Sequence, residues 1–92
     1  ETDTAGSLTA AIDALALSGV REVYACCTHG VFSGPGIQRV NQSGVEEMVV
    51  TDTLPLAHRE SSKLTVLSIA PLLGEAIRRI HAGLSVGTMF NR

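Results

Sequence analysis

The opening stretch Glu1-Thr2-Asp3-Thr4-Ala5-Gly6-Ser7-Leu8 sets an acid, Asp3, and two hydroxyls, Thr4 and Ser7, around a centre with almost no side chain, Ala5-Gly6. It runs straight into an apolar helical pattern. A phosphate can lie against so bare a backbone and collect several N–H groups at once. Thr4 and Ser7 can add hydroxyl donors, and a helix macrodipole favours an anion there by up to about 1 kcal/mol. The ordinary alternative is helix capping, because Asp, Thr and Ser are also preferred N-cap residues. The Gly-x4-Gly-Lys-Ser/Thr pattern of a phosphate loop is absent.

Other reactive side chains are scattered. His29 follows an apolar run and precedes Gly30. It has the chemistry of a general acid or base, or of a hydrogen-bonded structural histidine. Asp52 stands just past a second apolar run, where a carboxylate either helps to hold Mg2+ or shapes a turn. His58 and His81 have no partner spacing for a metal site. Cys26 and Cys27 are adjacent, and neighbours on a strand point to opposite faces, so they are poorly placed to bridge. They read as two buried thiols in a reducing compartment. Arg78-Arg79 reads as a solvated face or a subunit contact, and Lys63, the one lysine, falls in an apparent surface connection.

The elements that must position these residues follow from periodicity. Leu8, Ala11, Ile12 and Leu15 form one apolar stripe of a helix over residues 7–18, stopped by Gly19. Residues 22–27 read as a buried strand. Three glycines and a proline make residues 28–36 a loop. A short helix is expected over 37–42, a second buried strand over 47–51, a polar exposed connection over 57–62 and a third strand over 64–69. Leu73, Ala76, Ile77 and Ile80 stripe a last helix that starts near Pro71 and ends at Gly83. The tail beyond it has one large anchor, Phe90.

Strands of continuous apolar residues alternating with helices predict an α/β fold, a parallel sheet covered by helices on both faces. Ligands in such sheets sit beyond the carboxyl ends of the strands, where residues 28–36 and 51–56 lie. The opening turn would share that edge if a strand preceded it. The first strand is missing, so the chain is expected to be a fragment.

With 92 residues there is room for one domain. Its hydrophobic content of 45% supports a packed core, and 3% aromatics with no Trp makes that core Leu, Ile, Val and Ala. A net charge of −2 without a basic cluster argues against nucleic acid. No apolar run reaches the roughly 18 residues that a membrane span needs.

Four stretches together carry a family resemblance. Asp3-Thr4-Ala5-Gly6-Ser7-Leu8 resembles the ribose-phosphate loop of phosphoribosyltransferase-type (type I) folds. Thr28-His29-Gly30-Val31-Phe32-Ser33-Gly34-Pro35 resembles a segment of ribose-phosphate pyrophosphokinases, the phosphoribosyl pyrophosphate synthetases. Val49-Val50-Thr51-Asp52-Thr53-Leu54-Pro55-Leu56 and Leu73-Gly74-Glu75-Ala76-Ile77-Arg78-Arg79-Ile80-His81 are similar to that family's last strand-loop and last helix.

The resemblance implies that residues 1–92 are the C-terminal portion of a ribose-5-phosphate and phosphoribosyl-pyrophosphate-binding domain. The family transfers the diphosphoryl group of Mg-ATP to the 1-hydroxyl of ribose 5-phosphate, for nucleotide biosynthesis. The substrate-binding residues it implies are Asp3, Thr4, Ala5, Gly6 and Ser7, with Asp3 near the sugar and Thr4 and Ser7 donating to the phosphate. The family often has Gly at Ala5 and Thr at Ser7, changes that keep the small volume or the hydroxyl. Its adjacent acidic pair, its ATP-binding and metal-binding residues and its catalytic Lys and Arg belong to earlier parts of such proteins. No catalytic residue and no metal ligand is therefore expected here, Mg2+ is bound outside this chain, and the chain alone is expected to be inactive. Ser85 matches the first serine of a Ser-x-Ser in the family's phosphate and ADP effector site, whereas Gly87 departs from the second. The resemblance also implies a cytoplasmic homo-oligomer, a hexamer. Two rivals stay open: a non-catalytic, synthetase-associated regulatory subunit, and a phosphoribosyltransferase.

Overall fold

A computed structural model describes residues 1–56 and 61–90. His58 and most of the expected polar connection fall outside them. The elements in order are α1 (Gly6–Leu17), β1 (Tyr24–Cys27), α2 (Gly36–Gln42), β2 (Glu47–Thr51), β3 (Leu64–Leu67), α3 (Ala70–His81) and a final 3₁₀ turn, Gly87–Phe90. The strands form one parallel sheet in the order β1-β2-β3. The fold is therefore α/β, a parallel sheet flanked by helices.

Register decides which side chains share a face. Ala25, Met48 and Leu64 stand in one row and Cys27, Val50 and Val66 in another, both on one face. Met48 and Val50 there are buried with Ile12 of α1, Val40 of α2, Val45 and Phe32. α1 and α2 both meet this face, through Ile12 and Val40. The expected cover on both faces is thus met on one. The opposite face carries Tyr24, Cys26, Val49 and Leu67, and Tyr24 and Leu67 are more than half exposed.

This one-sided cover corrects three expectations. Cys26 is exposed and Cys27 half-buried, because alternation sends them to opposite faces and only one face is packed. The stripe of α3 is bare: Leu73, Ile77 and Ile80 are all exposed, and α3 has no buried residue. Phe90, the expected anchor of the tail, is exposed as well.

Two strands are shorter than expected. The third strand ends at Leu67 because Ser68 and Ile69 turn into α3: the Ile69 N–H donates to Asp52 Oδ1 at 2.9 Å, and the Ala70 N–H to Ser68 Oγ at 3.1 Å. The first strand pairs only from Tyr24 onward. Lys63 is a tie rather than a surface residue, since its half-buried Nζ donates to the Ser43 carbonyl at 2.6 Å.

Candidate anion-binding site

The opening loop is fastened residue by residue. Thr2 forms a parallel bridge with Gly30. Its N–H donates to the His29 carbonyl at 3.0 Å, and its carbonyl accepts from the Val31 N–H at 2.8 Å and the Phe32 N–H at 3.2 Å. The Asp3 carboxylate accepts from the Ser33 N–H at 3.1 Å and from the Ser33 hydroxyl. The Thr4 carbonyl accepts from Arg39 Nη1 at 3.0 Å. Ala5 then turns the chain into α1 with φ of 62°, and its carbonyl accepts the first helical bond, from the Thr9 N–H.

That turn leaves the start of α1, with Ala5 as its N-cap, without a side-chain cap. A helix start leaves its first N–H groups without intrahelical partners. Here they border a hollow of about 220 Å³ lined by residues 1–8. The residues expected to bind ribose 5-phosphate, Asp3, Thr4, Ala5, Gly6 and Ser7, all line it. Thr4, Gly6 and Ser7 are exposed, while Ala5 is buried beneath them. Fixed amides, hydroxyls and a helix N-terminus suit a dianionic phosphate better than a neutral ligand.

The loop at residues 28–36 is the support. Among the described residues, Ala5 and Phe32 are the non-glycine residues with positive φ, 62° and 51°. Left-handed backbone costs an ordinary residue roughly 1–2 kcal/mol, and such strain gathers at functional sites. One of these residues lies in each loop. Phe32 is 2% exposed and its ring fills the space over Gly30, where a Cβ would stand 2.5 Å from Cε2. Gly36 is required by a closer approach, since its Cβ would meet the Asp3 carbonyl oxygen at 2.4 Å.

The third loop closes the carboxyl edge. His29 Nδ1 lies 2.8 Å from Thr53 Oγ1, and the Thr51 and Thr53 hydroxyls donate to the Thr28 carbonyl. His29 is thus a hydrogen-bonded strut. Asp52 shapes a turn: the Ile69 N–H first, and then the Ser68 hydroxyl, hold its carboxyl below the ordinary value. Among the described residues no three His, Cys, Asp or Glu side chains are grouped to hold a metal ion.

Ser85 is not in the hollow. It sits in the turn after α3, where its Oγ accepts from the Gly87 N–H at 3.1 Å and its carbonyl from Arg79 Nη1 at 3.1 Å. Sequence reasoning missed Ser33 and Arg39, the two side chains that grip the opening loop. The glycines around Ser33 marked a loop, but no local pattern links either residue to a partner 30 or 35 positions away.

Comparison with known proteins places this geometry. The family described as phosphoribosyl synthetase-associated domain matches residues 2–91. The ribose-phosphate pyrophosphokinase of Aquifex aeolicus is 53% identical over 88 residues, which are 96% of this chain and 28% of that protein. That of Oceanobacillus iheyensis is 52% identical over 90 residues, 97% of this chain and 28% of the relative. The crystal structure of phosphoribosylpyrophosphate synthetase from Mycobacterium smegmatis superposes with a TM-score of 0.87 at 41% identity, covering 89% of this chain and 28% of that one. The chain therefore spans 28% of the length of these relatives. It belongs to the phosphoribosyl synthetase-associated domain family and is related to the ribose-phosphate pyrophosphokinases over nearly all of its residues.

Proposed function

We propose that this chain is the ribose-5-phosphate-binding, C-terminal portion of a ribose-phosphate diphosphokinase. The whole enzyme transfers the diphosphoryl group of Mg-ATP to the 1-hydroxyl of ribose 5-phosphate, releasing AMP and forming phosphoribosyl pyrophosphate. The observation that carries the reading is the uncapped start of α1 under a hollow lined by residues 1–8. Thr4, Ser7 and the amides around Ala5 and Gly6 hold the 5-phosphate there. Asp3, fixed by Ser33, lies on the sugar side.

Diphosphoryl transfer is carried by positioning and by cations that offset developing charge. In this reading Mg2+ and ATP are held by segments of the whole enzyme outside this chain. Ser85 contributes to a phosphate or ADP effector site at a subunit boundary of a cytoplasmic homo-oligomer, a hexamer. Among the described residues no helix is long and apolar enough to cross a membrane.

The test is an assay of AMP release from ATP and ribose 5-phosphate. The full-length protein is expected to release AMP only when ribose 5-phosphate is present, and the 92-residue chain alone to release none. A full-length protein inert with ribose 5-phosphate, or an active isolated chain, contradicts the reading.

A further inference from the structure

Ala5 holds its left-handed turn between two contacts with one side chain. Arg39, exposed on α2, donates from Nη1 to the carbonyl of Thr4 at 3.0 Å. The same nitrogen would stand 3.4 Å from a Cβ at Gly6. The guanidinium therefore lies against both neighbours of Ala5. The Thr4–Ala5 peptide is trans, and a planar trans peptide points its C=O and N–H in opposite directions. Holding the Thr4 carbonyl toward α2 fixes the Ala5 N–H to face away from α2.

We propose that Arg39 is a positioning residue for the phosphate loop, setting the direction of the Ala5 amide so that it serves as an anion donor. The proposal rests on the reading of residues 3–7 as the 5-phosphate site. Ser33 supplies the second grip, on the Asp3 carboxylate, and Gly36 leaves room for the Asp3 carbonyl. The first turn of α2 and the residues just before it thus form one clamp on the loop. A planar guanidinium suits this task because its donors are fixed in direction. Loss of the Thr4 contact frees the peptide to rotate, and a rotated peptide presents a carbonyl oxygen where the anion needs a donor.

The experiment is steady-state kinetics of the full-length enzyme with Arg39→Met, Arg39→Lys and Gly6→Val. Arg39→Met is expected to raise KM for ribose 5-phosphate about tenfold, the order of one charge-assisted hydrogen bond. KM for ATP and the melting temperature stay unchanged, which separates positioning from a structural role. Arg39→Lys keeps one donor and is expected to recover most of the loss. The proposal is overturned if Gly6→Val destroys ribose 5-phosphate saturation while Arg39→Met stays within about twofold of wild type, less than a single weak hydrogen bond. It is also overturned if Arg39→Met raises both KM values and lowers the melting temperature. If Gly6→Val leaves KM for ribose 5-phosphate untouched, the phosphate-site reading itself fails, and the Arg39 proposal falls with it.

Discussion

Ile12 and Ile77 each sit in the apolar stripe of a twelve-residue helix, yet Ile12 is 2% exposed and Ile77 is 67% exposed. The first helix packs on the sheet through Ile12 and shares a core with Val40 of α2 and Met48 of β2. The third presents the same kind of stripe to solvent. An amphipathic pattern states which face must be buried, and only tertiary structure states against what. The region around α1, α2 and β2 is a finished core that holds a loop. The region around α3 leaves its apolar stripe open to solvent, as does the sheet face with Tyr24 and Leu67.

The sharpest way to break this comparison is to truncate one residue in each region. Met48→Ala removes a fully buried side chain and is expected to cost about 2–5 kcal/mol in a urea melt. Ile77→Ala in the same chain is expected to stay within about 0.5 kcal/mol, as for an exposed position. Comparable losses from both would show that α3 is packed. A costly Ile77→Ala only in the full-length protein would show that the rest of that protein supplies the cover.

Gly36→Ala comes next. Its Cβ would stand 2.4 Å from the Asp3 backbone carbonyl, so a backbone must move, at about 1–3 kcal/mol. If residues 3–7 hold the 5-phosphate as proposed, ribose 5-phosphate affinity of the full-length protein is expected to fall as well, measurable by calorimetry. A stability loss with intact affinity would separate the clamp from the site.

The third prediction concerns pH in the bare region. Hydrogen bonds from Arg78 first, and then Arg79, lower the Glu75 carboxyl from 4.5 to about 2. The contacts are 2.7 Å to Arg78 Nη2 and 2.8 Å to Arg79 Nε. A carboxylate with a depressed folded pKa stabilises fully above its unfolded value and loses that contribution as pH falls through the folded value. The support for α3 is therefore present above pH 4.5 and lost toward pH 2. Circular dichroism should show a small loss of helix over that window in wild type and a smaller one in Glu75→Gln, as for an exposed ion pair. An equal loss in Glu75→Gln would assign it to other carboxylates.

The smallest effect is expected at Ala5. Glycine there relieves a left-handed backbone costing roughly 1–2 kcal/mol. It also removes a buried methyl and adds chain entropy, each worth roughly 0.5–1 kcal/mol. The urea midpoint of Ala5→Gly should therefore lie close to wild type, whereas Ala5→Val, β-branched at φ of 62°, should lower it clearly.

Much of this was legible in the sequence because it is local. Leu8, Ala11, Ile12 and Leu15 announce α1, the glycines of residues 28–36 announce a loop, and Val49-Val50 announce β2. The approach of three loops at the carboxyl edge followed from strand order. What escaped is long-range. Whether Cys26 is covered depends on a face that α1 and α2 do not reach, and whether the stripe of α3 is covered depends on what packs against it rather than on its own residues. The hold of Arg39 on Thr4 and the bridge between Thr2 and Gly30 join segments about 30 residues apart, and no periodicity records such pairs.

One titration tests the central claim most directly. Ribose 5-phosphate is added to the full-length protein and to its Gly6→Val variant in a calorimeter, with ATP binding as the control. The account predicts that valine at Gly6, which lines the hollow and whose Cβ would stand 3.4 Å from Arg39 Nη1, abolishes the ribose 5-phosphate isotherm and leaves that of ATP in place. An undiminished ribose 5-phosphate isotherm in the variant would mean that the phosphate is held elsewhere.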